Sequence, residues 1–152
     1  MFDLLIAASL LLNAPQSIVG VDRDTIQARF GAPVSIATDF KPSPAPGDKP
    51  DGIVTLDWPQ LRIRLYVPAS GKSAALLGVT TTSDVLKIDS PVRIGVDRGT
   101  VLRELGGPTY EDENQLVYSL TQDVADAPNP TVRIVFHDDR VIGLDWTYPL
   151  AN

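Results

Sequence analysis

Chemistry that depends on a side-chain pair is most concentrated around the single histidine, in Phe136-His137-Asp138-Asp139-Arg140. An imidazole beside two carboxylates is the raw material of a general base or a metal site. For that chemistry the three side chains must converge, and neighbours on a strand and its turn diverge. Two aspartates between apolar-alternating runs are hairpin-turn residues, which sets His137 on an open sheet face and both carboxylates in water. There is no cysteine and no second histidine, so thiolate catalysis, disulfides and cysteine-held metals are excluded. A small hydrolase or metal-dependent enzyme working through His137 is retained only as the weakest alternative.

Other chemical candidates reduce to structure in the same way. Glu111-Asp112-Glu113 is a solvated acidic turn. Gly106-Gly107-Pro108 follows a helix where a phosphate loop must precede one, and no Lys-Ser/Thr comes after it. Arg23 and Arg98 lie where a helix N-terminus would favour an anion, but capping explains their surroundings better. No Gly-x-Ser-x-Gly is present. Trp58, Trp146, Phe136 and Tyr148 are read as core or sheet-edge packing rather than a ligand box. The chain is therefore expected to be no enzyme and to need no cofactor or metal.

The elements that position these residues come in two copies. Gly20 and Gly95, Asp22 and Asp97, Thr25 and Thr100, and Pro33 and Pro108 are each 75 residues apart. Asp22 and Asp97 stand as N-caps, Val21 with Ile26 and Val96 with Val101 as hydrophobic staples, and Gly31 and Gly106 as C′ residues. Each copy thus begins with a helix of about two turns, too short to hold without packing. In copy one, residues 34–38 are an extended lead into a proline-rich projecting loop at 41–52, and strands follow at 53–57, 61–67 and 74–82 with a turn at Ser70-Gly71-Lys72. In copy two, 85–88 is a connecting strand, the helix spans 98–105, and strands follow at 115–120, 131–137 and 140–148, with an insertion at 122–130. Alternation turns Val132, Ile134 and Phe136 inward. The expected fold is α+β, a tandem repeat of helix plus three-stranded antiparallel meander, with both helices on one face of a shared sheet. Residues 15–83 form the first repeat and 84–152 the second.

Acidic residues outnumber basic ones, 19 to 13, with no basic run, which argues against nucleic acid as a partner. The apolar run 4–12 is too short to span a bilayer. Residues 1–14 are either a signal peptide, although Asp3 replaces the usual positive charge, or an N-terminal element of the domain. The first assignment implies a periplasmic or secreted protein and the second a cytoplasmic one.

The pattern through Gly95, Val96, Thr100, Val101, Leu105, Gly106, Pro108 and Tyr118, with the strand Val132 to Phe136, resembles the SmpA/OmlA (BamE-like) outer-membrane assembly lipoproteins. It equally resembles the tandem-repeat β-lactamase inhibitor proteins. The resemblance implies non-enzymatic protein binding in the bacterial envelope or periplasm, or inhibition of a secreted or periplasmic enzyme. The lipoproteins' N-terminal cysteine is missing, and no inhibitory residue carries over. A monomer binding a protein partner through outward sheet positions Arg62, Arg64, Tyr66, Arg133 and His137 is expected.

Overall fold

Asp22 and Asp97 cap helices as their spacing predicts. In the computed structural model, which describes residues 2–41, 49–70, 74–119 and 129–149, α2 runs Arg23–Phe30 and α3 Arg98–Leu105. Each cap carboxylate accepts from a first-turn amide, Thr25 in one case at 3.1 Å and Thr100 in the other at 2.8 Å. These bonds to the charged form hold both carboxyls below the usual carboxylate range, the threonine side chain being the larger cause and its amide the next. Gly31 and Gly106 close the helices at φ 82° and 79°, and each N–H donates to the carbonyl four residues back.

The strands form one eight-stranded antiparallel sheet in the order β1-β2-β3-β4-β8-β7-β6-β5. β1 is Ser35–Phe40, β2 Gly52–Trp58, β3 Leu61–Val67 and β4 Ala75–Thr81. β5 is Tyr110–Asp112, β6 Gln115–Ser119, β7 Thr131–His137 and β8 Arg140–Thr147. Two meanders thus lie edge to edge, joined where β4 pairs β8.

Each meander has four strands instead of the expected three. The segment expected to be extended at 34–38 is so, but as a longer edge strand, β1, paired along its length with β2. β5, unforeseen because only three residues pair, occupies the other edge. The connecting strand expected at 85–88 is a turn instead. Lys87 has φ 54° and its N–H reaches back to the Asp84 carbonyl, which breaks an extended run, while Leu86 drops into the core. Most of the loop at 41–52, the Ser70-Gly71-Lys72 turn and the insertion at 122–130 lie outside the described residues.

The apolar N-terminal run belongs to α1, Phe2–Val19. Leu11 and Leu12 are fully buried and join Ile26, Val101, Leu56, Ile63, Ile134 and Trp146 in one core. Pro15 lies inside this helix. Lacking an N–H, it cannot donate to the Leu11 carbonyl one turn back, and that oxygen is buried where water cannot replace the lost partner. Trp146 Nε1 donates to it at 2.9 Å, and Tyr148 Oη donates to the Leu12 carbonyl at 2.5 Å. Burial pushes the Tyr148 phenol well up, so it stays a donor at neutral pH. No described helix is long and apolar enough to cross a membrane.

The exchange between Pro15 and Trp146 is testable as a cycle. Trp146→Phe is expected to cost about 1–3 kcal/mol, by orphaning a buried acceptor and losing some packing. Pro15→Ala in the same background should recover part of that loss, because residue 15 regains an N–H for Leu11. Chemical denaturation of the four proteins measures the coupling, and additive losses would reject it.

Candidate protein-binding face

Strand alternation sends one set of side chains into the core and the other to the opposite face. On β3, Leu61, Ile63 and Leu65 are buried and Arg62 and Arg64 exposed; on β7, Val132, Ile134 and Phe136 are buried and Arg133 and His137 exposed. The pairing then aligns outward residues in rows. One row crosses all eight strands: Ser35, Asp57, Arg62 and Thr80 in the first meander, then Asp145, Arg133, Val117 and Tyr110 in the second.

Side-chain bonds lace this row. Arg62 Nε lies 2.6 Å from Asp57 Oδ1, Arg133 Nη2 lies 3.3 Å from Asp145 Oδ2, and Thr80 Oγ1 donates to Asp145 Oδ1 at 2.9 Å. The Asp57 carboxylate raises the Arg62 guanidinium further, through its hydrogen bond first and its charge second. Both ion pairs are open to water and therefore stabilise little. Their effect is on charge, since each guanidinium already has a carboxylate.

Arg64 differs. It stands in the next row, opposite Thr55 on one side and Gly78 on the other, with Thr147, Thr131 and Ser119 continuing beyond Gly78. All of these neighbours are small, and none carries a charge. Among the described residues Arg64 has no hydrogen-bond or ion-pair partner. Gly78 is required there by close approach, since a Cβ would lie 2.9 Å from the Trp146 carbonyl oxygen across the β4–β8 seam.

Tyr66 is on the same face but is committed to the loop. Its hydroxyl donates to Asp51, whose other oxygen accepts from the Ala69 amide at 2.9 Å, and the Lys41 ammonium sits 5.7 Å from the ring centroid. His137 lies at the end of the β7–β8 hairpin. Asp138 and Asp139 form its two-residue turn with φ 50° and 65°, the left-handed pair that a tight hairpin requires. His137 Nε2 is 3.4 Å from Asp138, and both side chains are largely in water. Among the described residues no three of His, Asp and Glu gather as a metal would need.

Arg62, Arg64 and Tyr66 thus follow one another along β3, Arg133 lies three strands away in the row of Arg62, and His137 stands at the end of its hairpin. Asp57, Thr80 and Asp145 were missed as parts of this surface. The alternation Leu144-Asp145-Trp146 marks Asp145 as outward, but only the pairing of β4 with β8 reveals that it bridges the two meanders. Arg98, at an α3 start where an anion was weighed, is used internally: it donates to the Asp112 carbonyl at 2.8 Å and lies over the Phe136 ring at 5.2 Å. Two shallow hollows of about 240 and 190 Å³ flank the β2–β3 turn at Trp58, Pro59 and Gln60. Trp58 is held there by donating to the Gly31 carbonyl at 3.1 Å, and Tyr118 donates likewise to the Gly106 carbonyl at 2.8 Å. No protein-family model, curated protein or solved structure matches the chain.

The Tyr66 hydroxyl first, and the Ala69 amide second, hold the Asp51 carboxyl below its ordinary range. A lowered folded value means that this tie is complete above the unfolded carboxylate pKa, near 4, and is lost only as pH falls through the lower folded value. Tyr66→Phe should therefore raise the Asp51 midpoint toward the ordinary one. A carboxyl-carbon NMR titration measures it, and an unmoved midpoint would remove Tyr66 as its cause.

Proposed function

We propose that the chain is a non-catalytic protein-binding module, which the resemblance sets in the bacterial envelope or periplasm, and that it receives an acidic patch of its partner on the open sheet face. The observation that carries this is the unpaired Arg64, placed in a row of small side chains beside the row in which Arg62 and Arg133 are already neutralised. A carboxylate from a partner has room to reach it and displaces no internal ion pair. Arginine is also a favoured anchor in such contacts.

The face is open on the same proposal because all three helices pack on the other side of the sheet. Supporting this, their buried residues belong to a single cluster with the inward residues of both meanders. Gene duplication is part of the proposal too, and five paired features support it. The cap aspartates and the cap glycines correspond at 75 residues. Trp58 and Tyr118 each donate to the cap glycine of their own half. Bulges fall at Arg64/Leu65 and at Val135/Phe136, each two residues past an arginine paired to the central row. Thr80 and Asp145, equivalent in the motifs Leu77-Gly78-Val79 and Ile142-Gly143-Leu144, pair with one another at the seam. That last pairing is what a local two-fold axis between copies produces.

A photo-crosslinking residue at Thr131, beside Arg64's row, should capture a protein partner in the native cell. Arg64→Glu should reduce capture by tenfold or more without changing the fold. Equal capture in the reversed variant, or equal capture from a probe at Arg103 on α3, would reject the face. Inhibition of an enzyme is the second reading, favoured by the tie that holds Asp51 to Tyr66 on this face. It predicts dose-dependent loss of one target's activity, weakened by Tyr66→Phe.

Burial of Leu11 and Leu12 supports retention of α1 in the working protein, which counts toward the cytoplasmic alternative to the envelope placement. Intact mass from the native cell should include residues 1–14. A form trimmed after Ala14 that still folds would overturn that retention while leaving the sheet-face proposal standing.

A further inference from the structure

The two edges of the sheet are built differently. β5 pairs over three residues, carries Glu111 and Asp112, and ends in a turn at Glu113 and Asn114. Short length and charge are the means by which an edge avoids foreign strands. β1 has six residues, every one exposed, and no described segment lies on its outer side. Its only charge is Asp39, which points to the open face. On the core side it presents Ile36, Thr38 and Phe40, with Ile36 43% and Phe40 68% exposed. No described residue covers them.

The backbone of β1 is equally uncommitted on that side. Lys41 N–H donates to the Asp51 carbonyl at 2.8 Å, and the register from Ser35 opposite Asp57 to Phe40 opposite Gly52 continues that ladder. In an antiparallel ladder alternate residues bond to opposite neighbours. Residues 35, 37 and 39 therefore bond to β2, and Ile36, Thr38 and Phe40 direct their N–H and C=O groups outward.

The strand is complementary to itself. Around a two-fold axis perpendicular to the sheet, paired residues must point to the same face, so their numbers sum to an even value. A sum of 76 sets Ile36 opposite Phe40 of the second copy, Thr38 opposite its own equivalent, and Phe40 opposite Ile36. Those are three hydrogen-bonded pairs of two bonds each, six in all, and they use every outward group of the strand. Aromatic with β-branched and Thr with Thr are also favourable cross-strand pairs. The neighbouring registers fail. A sum of 74 needs the Val34 N–H, already given to the Asp57 carbonyl at 2.7 Å, and a sum of 78 places Ile36 opposite residue 42, a proline with no N–H to give.

We propose that β1 is a homodimerisation edge, pairing antiparallel with β1 of a second copy about Thr38 to give one continuous sheet of two times eight strands. Such an interface is isologous and closes at two subunits. It replaces the monomer expected from sequence and leaves both Arg64 faces open.

Sedimentation equilibrium of the full chain should show a mass that doubles as concentration rises. Thr38→Pro removes an outward N–H that β2 does not use, so the dimer should be lost with the circular dichroism unchanged. The chain has no cysteine, which permits a test of register. Thr38→Cys should crosslink to itself on mild oxidation, because paired Cα atoms about 5.5 Å apart suit a disulfide. Ile36→Cys alone should not, its equivalents being on the order of 14 Å apart, but should crosslink when mixed with Phe40→Cys. A monomer at every concentration, or crosslinking indifferent to position, would overturn the proposal. So would pairing of β1 only with an unrelated extended peptide. If Thr38→Pro fails to fold, the crosslinking pattern decides alone.

Discussion

A buried carbonyl without a donor is what binds the N-terminal helix to the rest of the protein. Pro15 takes away the partner of the Leu11 oxygen inside an apolar helix, where leaving it unpaired costs more than the hydrogen bond would contribute. Only a donor from outside the helix can satisfy it, and Trp146, with Tyr148 beside it, comes from the strand at the end of the chain. First and last elements are thereby held in one register. Since β8 is also the strand that pairs with β4, the same contact ties the helix to one strand of the junction between the two meanders.

That junction has consequences on the outward face. Pairing β4 with β8 brings Thr80 against Asp145 and so completes a polar row in which two arginines are already matched by carboxylates. The Arg62–Asp57 and Arg133–Asp145 pairs each form within one meander, and the seam joins them through the bond from Thr80 to Asp145. Among the described residues, the outward arginine left without a partner on these strands is Arg64. The alternation that buries Ile63 and Leu65 is what obliges Arg64 to face outward, so the core and the proposed binding face are two sides of one constraint.

The helix ends were legible because capping is local chemistry. An aspartate three residues before a threonine, and a glycine after the last apolar position, specify a helix with no help from distant residues. The same holds for the Asp138-Asp139 turn and for the alternation in β3 and β7. Local signals failed at 85–88, where one left-handed residue, Lys87, turns an apolar run into a plug. They also failed at β5, where three residues are a strand only because β6 lies beside them.

Sequence by itself therefore determined two capped helices, two meanders, an inward and an outward set of side chains, and the duplicate spacing between halves, since each depends on residues within a turn or a strand of one another. Tertiary structure decided which outward arginine is left unpaired, that the apolar N-terminal run is a core helix, and that one sheet edge is long and bare while the other is short and charged. Those depend on which strands become neighbours and on how helices and inward side chains gather into one core. Residues as far apart as Leu11 and Trp146 meet only when that burial is complete.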